Sequence, residues 1–155
     1  MMKEQLFNLI RKHHFNISIY TKEIFERRCQ EEIIRSDEDN TSFVYLEFNF
    51  EQIAQALGNV ESNVNLFWEI FMQALAKNNR GCDIIGFLEN QAGLGMLLLD
   101  SKIEGWLRVK GRIEQTANAT GFVSISNILT TMVTPIVYPS CIQDMQQKEL
   151  SGASV

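Results

Sequence analysis

The chain has 155 residues, of which 45% are hydrophobic and 21% are charged, and its formal net charge is −5. This length suits one domain with a core of its own, and the acidic balance argues against a nucleic-acid-binding surface. No apolar run reaches the roughly 18 residues of a membrane span, and the N-terminus does not resemble a signal peptide. We therefore expect a cytoplasmic protein without a transmembrane segment.

The first third of the chain combines two helical patterns with one strand pattern. Apolar residues at helical spacing predict helices over residues 3–12 and 21–34, with Thr21 as the N-cap of the second. The polar run 35–40 has no periodicity and is predicted to be a loop. Residues 42–49 are rich in β-branched and aromatic side chains, which predicts a strand.

The middle of the chain predicts two helices followed by a hairpin. Residues 51–57 form a short helix, and a longer one with a broad apolar stripe covers residues 61–78. Two apolar strands, 83–88 and 94–99, are joined by the short polar turn 89–93. This hairpin is the most informative stretch of the sequence.

The last third is less uniform. A helix is predicted from residue 101 to about residue 117, whereas residues 118–130 are ambiguous. Residues 131–138 read as a strand, and Pro135 predicts that it lies at a sheet edge because proline lacks a hydrogen-bond donor. We expect a single domain over residues 1–140 and a flexible tail over 141–155.

This order of elements predicts an α+β fold. Two strand–helix–strand crossovers surround a central antiparallel hairpin, which is the pattern of a ferredoxin-like, split βαβ two-layer sandwich.

Short motifs occur in a fixed order along this fold. They are Leu46-Glu47-Phe48-Asn49-Phe50 at the end of the first strong strand, Gly58-Asn59-Val60-Glu61-Ser62-Asn63, Arg80-Gly81-Cys82-Asp83 before the hairpin, and Asn90-Gln91-Ala92-Gly93-Leu94 at its turn. In order and spacing they resemble the GGDEF diguanylate cyclases, whose core is similar to that of the class III nucleotide cyclases. That family has Asp-x-Asp-x-Phe, Gly-His-x-x-Gly-Asp, Arg-x-x-Asp and Gly-Gly-Asp-Glu-Phe at the corresponding places.

The resemblance implies that the catalytic signature is lost. The two acidic residues of the family's turn hold Mg²⁺ and correspond here to Ala92 and Gly93, which cannot bind a hard cation through a side chain. Glu47 takes the place of the first-strand aspartate and Asn49 lies beside it. We therefore expect no cofactor, although Mg²⁺ at Glu47 stays open as an alternative to a solvated or ion-paired glutamate.

The resemblance also implies where a nucleotide would bind. The guanine-reading positions of the family correspond to Gln55 and Asn63, and Arg80 with Asp83 matches a motif that binds the product in active cyclases. The Arg80 to Asp83 match also fits the simple end of a helix. The vestigial active site would then comprise Glu47, Asn49, Asn63, Asn90, Gln91, Ala92 and Gly93.

The function that follows is a non-catalytic GGDEF-like module, with a protein partner or a second copy as its binding partner and nucleotide binding possible. By analogy, its setting would be bacterial cyclic-di-GMP signalling or exopolysaccharide control. Two alternatives stay open: a nucleotidyl cyclase or hydrolase that uses the same scaffold, and a purely structural dimerisation domain.

Overall fold

The computed structural model describes residues 2–77 and 83–139, which contain six α-helices and five strands. The helices are α1 Met2–His13, α2 Lys22–Asp39, α3 Phe50–Ala56, α4 Glu61–Ala76, α5 Ile103–Ala119 and α6 Ser124–Met132. The strands are β1 Ile19–Tyr20, β2 Phe43–Asn49, β3 Asp83–Phe87, β4 Gly93–Leu99 and β5 Ile136–Tyr138. The predicted helices, the first strong strand and the hairpin are confirmed.

The strands form one sheet in the order β1-β3-β4-β2-β5. β4 lies at its centre, antiparallel to both β3 and β2. β2 and β3 are therefore parallel strands split by β4, with α3 and α4 in the crossover between them. β4 and β5 are likewise parallel and split by β2. The predicted α+β fold with a split βαβ core and a central antiparallel hairpin is confirmed.

The main core lies on one face of the sheet. Alternate residues of β2 are buried there because successive strand side chains point to opposite faces. They pack against α4 and α5, whose Trp68 and Trp106 are 0% and 3% exposed. Phe48 contacts both Phe71 and Trp106 edge-to-face. This aromatic packing fixes the position of β2, at whose end the candidate site begins.

α2 lies on the opposite face of the sheet. Its Phe25, 2% exposed, forms a second apolar cluster with Phe43, Ile84 and Leu97. Thr21 caps the helix as predicted, with its hydroxyl oxygen accepting from the Ile24 amide at 3.4 Å. α2 therefore adds a partial cover to the face that the two-layer core leaves open.

The prediction of a loop over residues 35–40 was wrong. α2 continues to Asp39 and ends at Asn40, which adopts a left-handed conformation with φ of 55°. Polar contacts support this last part: Glu32, 4% exposed, bonds to Arg28 and Arg35. Arg35 also reaches Asp100 at 3.1 Å. This end of α2 is held by ion pairs instead of an apolar stripe, so the hydrophobic periodicity that predicts a helix is missing from residues 35–40.

The prediction of a strand over residues 131–138 was correct only at its end. α6 continues to Met132, and β5 begins at Ile136, directly after Pro135. The strand lies at the sheet edge as expected. The ambiguous segment 118–130 contains the end of α5 and most of α6.

The two-residue strand β1 was not predicted, since it forms only by pairing with β3. Within the described ranges, no helix is both long and apolar enough to cross a membrane. The expected flexible tail, residues 141–155, lies outside the described residues.

Candidate functional site

The candidate site lies where the end of β2 meets the turn of the hairpin. Sheet register places Glu47 opposite Gly95, and Asn49 opposite Gly93, on the neighbouring strand β4. Gly95 is in turn opposite Gly86 of β3. The residues that correspond to the family's first-strand and turn motifs are thus adjacent in space.

Glu47 is exposed on the same face of the sheet as α2. Its carboxylate accepts a hydrogen bond of 2.6 Å from the hydroxyl group of Tyr45, two residues earlier on the same strand. Burial of Tyr45 raises the pKa of its hydroxyl group, and the bond to Glu47 raises it further. The phenol therefore stays protonated and keeps donating to Glu47 throughout the neutral pH range.

Asn49 has a structural role in this arrangement. Its side-chain oxygen accepts from the Gln52 amide at 2.9 Å and so caps the N-terminus of α3. The next amide, that of Phe50, donates to the Ala92 carbonyl oxygen at 3.0 Å. The end of β2 is thus tied both to α3 and to the hairpin turn, and the Asn49 carboxamide oxygen is already engaged.

The hairpin turn contains a short 3-10 segment, Glu89–Gln91. Asn90 and Gln91 have φ values of 56° and 53°, and the Leu88 amide donates to the Gly93 carbonyl oxygen at 2.9 Å. Ala92 is exposed. Gly93 is buried, and a Cβ atom added to it would overlap the carbonyl oxygen of Phe48. The backbone here leaves no room for a side chain at position 93.

A cleft of about 820 Å³ opens between α2 and the sheet beside these residues. Glu47, Asn49, Glu89 and Ala92 line its sheet side. The α2 side is formed by one face of the helix, at positions i, i+3, i+4, i+7, i+8 and i+11, namely Lys22, Phe25, Glu26, Cys29, Gln30 and Ile33. Phe25 lies over Gly86 and Gly95, where its ring fills the space that side chains would otherwise occupy.

The structure brings only part of the predicted site together. Asn90 and Gln91 line a smaller neighbouring cavity of about 360 Å³, together with Lys3 and Lys22. Gln55 and Asn63 are not among the residues that line either cavity. Gln55 instead bonds to Glu51, its neighbour on α3, at 3.4 Å.

Asp83, another predicted nucleotide contact, does not join the site. Asp83 begins β3, at the end opposite the turn, and lines a small hollow with Arg108 and Arg112. Phe87 lies four residues further along the strand, a distance of about 13 Å from Asp83. Arg80 lies outside the described residues.

Several cleft residues were missed by reasoning from the sequence. Tyr45 precedes Glu47 by two residues, so strand alternation alone places both on one face. Phe25 and Cys29 share the stripe of α2 that faces the sheet, which predicted burial but not a cleft. Burial and the nearby Glu26 raise the pKa of the Cys29 thiol from 9.0 to about 11.

The residues present do not fit the two-metal chemistry of the cyclases. Two-metal catalysis needs carboxylates that bridge a pair of cations about 4 Å apart. In residues 2–77 and 83–139 no group of three or more histidine, cysteine, aspartate or glutamate side chains is arranged to hold a metal ion. Glu47 is the one acidic side chain at a position that corresponds to a metal ligand of the family, and it already accepts from Tyr45.

Solved structures similar to this chain include a GGDEF domain and two diguanylate cyclase proteins. The GGDEF domain of PA1120 (YfiN or TpbB) from Pseudomonas aeruginosa has a TM-score of 0.50 and 16% identity, covering 79% of this chain and 78% of that one. A DGC protein from Thermotoga maritima has a TM-score of 0.46 and 14% identity, covering 84% and 95%. The sequence matches no protein-family model and no curated protein.

A third similar structure is diguanylate cyclase SiaD from Pseudomonas aeruginosa, solved in complex with its activator SiaC. Its TM-score is 0.45 and its identity 18%, and 63% of this chain is covered. This chain spans 37% of the length of that SiaD chain. The likeness to the PA1120 domain, at a TM-score of 0.50, establishes that the chain has a GGDEF-like fold. At such low identity it establishes the fold alone.

Proposed function

We propose that this chain is a non-catalytic GGDEF-fold module that acts by recognition rather than by joining GTP molecules. One observation carries the proposal: Gly93, at the position of a metal-binding carboxylate, is packed against the Phe48 carbonyl oxygen with no space for a side chain. The neighbouring position holds Ala92, which lacks a ligand atom. Neither position of the turn therefore carries an acidic side chain, and at Gly93 the neighbouring backbone leaves no space for one.

The rest of the site supports the same conclusion. Phosphoryl transfer depends on metal ions that position the phosphates and neutralise the charge that develops on them. Here Glu47 bonds to Tyr45, and Asn49 caps α3. The cleft is kept, but its polar groups hold the protein together or face solvent. A fold that keeps a cleft without the metal ligands suits binding, as we expect for a regulatory module in bacterial signalling.

A turnover assay tests the proposal. The purified protein is incubated with GTP and either Mg²⁺ or Mn²⁺, and the products are separated by chromatography; we expect no cyclic dinucleotide and no nucleotide hydrolysis. Turnover that disappears in Glu47→Ala but survives in Glu61→Ala would contradict the proposal. Glu61 is a suitable control because it is exposed at the start of α4, which packs on the opposite face of the sheet.

A thermal-shift panel separates the kinds of recognition. A ligand that binds only the native state stabilises it by about RT ln(1 + [L]/Kd), so binding of GTP or cyclic-di-GMP raises the melting temperature. No shift with any nucleotide, combined with a molecular mass that rises with protein concentration, would favour a purely structural dimerisation domain instead.

A further inference from the structure

We infer that the cleft between α2 and the sheet binds an organic cation, namely an amine or quaternary ammonium group carried on an aromatic or other apolar body. The inference rests on the proposed function, since it names a ligand class for a cleft in which GTP is not turned over. It is carried by the size of the cleft, by its aromatic walls and by the sign of its charged groups.

The cleft has the size and lining of a small-molecule site. Its volume of about 820 Å³ lies within the ~300–1,000 Å³ typical of ligand pockets. Five aromatic residues line the cleft: Phe25, Phe43 and Phe87 are at most 5% exposed, and the half-buried Tyr45 and Tyr138 are the rings most open to a ligand. Aromatic faces attract cations through the negative potential of the ring. They also bury the apolar body of a ligand.

The charged groups of the cleft are mostly acidic. Glu26, Glu47 and Glu89 line it, whereas Lys22 is the one basic residue among the described residues that line it. The Lys22 ammonium group lies 3.6 Å from the Glu26 carboxylate, which balances that pair. Within residues 2–77 and 83–139, Glu47 and Glu89 have no basic partner in the cleft, which makes the potential of this part of the surface negative.

The acidic groups of the cleft also affect the pKa of two neutral groups, the Cys29 thiol and the Tyr45 hydroxyl group. The pKa of the Cys29 thiol is raised by burial and by Glu26, and the pKa of the Tyr45 hydroxyl group is raised by burial and by Glu47. Burial, the largest cause of both shifts, disfavours charge of either sign, whereas the smaller contributions of Glu26 and Glu47 specifically disfavour added negative charge. The carboxylates of the cleft would likewise repel a nucleoside triphosphate without bound metal, whereas they would attract a cation.

The test uses three indole compounds whose short side chains end in groups of different charge. Tryptamine is cationic at neutral pH, tryptophol is neutral and indole-3-acetate is anionic, so the apolar body is held constant. Each is titrated into the ¹⁵N-labelled full chain at fixed low salt, and binding is followed by NMR chemical shifts. We expect tryptamine to bind at least about tenfold more tightly than tryptophol, a difference of about 1.4 kcal/mol, and indole-3-acetate to bind most weakly. The shifts should fall on α2, β2 and the hairpin turn.

Charge-neutralising variants identify the groups responsible. Glu47→Gln and Glu89→Gln should each raise the Kd of tryptamine about three- to tenfold, whereas Glu61→Gln should leave it unchanged. Glu47→Gln keeps an oxygen that can accept from Tyr45, and Glu89 is exposed in the turn, so both variants should fold. Added salt should weaken tryptamine binding because partly exposed charges are screened.

Several outcomes would overturn the inference. They are equal binding of tryptamine and tryptophol, tighter binding of indole-3-acetate, absence of saturable binding, or a tryptamine Kd insensitive to both cleft variants. These outcomes leave the proposed function intact, because that is tested separately by GTP turnover, nucleotide binding and self-association. The two failures are therefore distinguishable.

Discussion

At the scale of single residues, the contact between Phe25 and two glycines shapes the sheet face under α2. A Cβ atom at Gly95 would overlap the Phe25 ring, and one at Gly86 would overlap the same side chain nearer its base. We predict that Gly95→Ala lowers the free energy of unfolding by about 1–3 kcal/mol, the usual cost of overpacking a buried site. Guanidinium denaturation followed by circular dichroism measures this change.

Gly111 provides a matched control for that substitution. It lies in the interior of α5, and a Cβ atom added there would meet no atom within 4 Å. Gly111→Ala should therefore stabilise the protein by about 0.5–1 kcal/mol through helix propensity. If both alanine variants were stabilising, Phe25 would not pack against Gly95 as described. The cost of Gly95→Ala should also fall in a Phe25→Leu background.

Cys29 gives a residue-scale prediction about pH. Burial first, and then the charge of Glu26, raises the pKa of its thiol from 9.0 to about 11, while Arg28 partly opposes the shift. Only the thiolate is alkylated. We predict that iodoacetamide labelling of Cys29, resolved by peptide mass spectrometry, increases with a midpoint near pH 11. In Glu26→Gln the midpoint should move lower.

The same shift sets the direction of a stability change. Because the folded-state pKa lies above the unfolded value, the native state holds the proton more tightly. This contribution to stability is complete below pH 9.0 and is lost as the pH rises towards about 11. In a Cys29→Ser variant the decline of melting temperature over this range should be shallower. Labelling of Cys29 with a midpoint near 9 would contradict both expectations.

At the scale of elements, α2 depends on a buried carboxylate. Glu32 is 4% exposed and bonds to Arg28 at 3.4 Å and to Arg35 at 3.1 Å. We predict that Glu32→Ala lowers the free energy of unfolding by about 1.5–3 kcal/mol, the range for hydrogen bonds between charged groups. Glu31→Ala is the control, because its ion pair with Arg28 is exposed and should contribute less than about 1 kcal/mol. Equal effects in urea denaturation would mean that the buried position of Glu32 has no importance.

The elements also show how far the sequence predicts the fold. Helices with an apolar stripe, such as α4, and the hairpin β3–β4 follow from local periodicity. The last part of α2 was missed because contacts of Arg35 with Glu32 and Asp100 replace an apolar stripe. β1 was missed because its two residues have no pattern of their own and pair only with β3. Long-range pairing is not visible in a local window.

The candidate site was predictable in composition but not in shape. The absence of acidic residues at positions 92 and 93 can be read from the sequence. The packing of Gly93 against Phe48, and of Phe25 over Gly95, depends on strand register and on the crossing of α2. Gln55 and Asn63 were placed in the site by analogy with the family, but they do not line the cleft, because α3 and α4 pack into the main core rather than the cluster beneath α2.

At the scale of the whole molecule, the pairing of Asn49 with Gly93 connects the architecture of the sheet with the missing acidic residues of the turn. β4 is the central strand, and both crossovers of the sheet depend on its pairing with β2. Gly93 opens β4 opposite Asn49, which ends β2 and caps α3. A change that needs space at Gly93 therefore disturbs the sheet, the start of α3 and the turn together.

This arrangement predicts that catalysis cannot be restored by replacing the turn residues alone. Ala92→Asp should fold with nearly unchanged stability, because Ala92 is exposed. Gly93→Glu, and equally Gly93→Ala, should lower the free energy of unfolding by more than about 2 kcal/mol, since the Cβ atom itself overlaps the Phe48 carbonyl oxygen. The loss in Gly93→Ala separates the effect of space from the effect of charge. The double variant Ala92→Asp, Gly93→Glu should form no cyclic dinucleotide from GTP with Mg²⁺. The opposite result would be a double variant that is as stable as the original chain and gains turnover. It would mean that catalysis lacked only the two carboxylates, and that the contact between Phe48 and Gly93 can rearrange with little loss of stability.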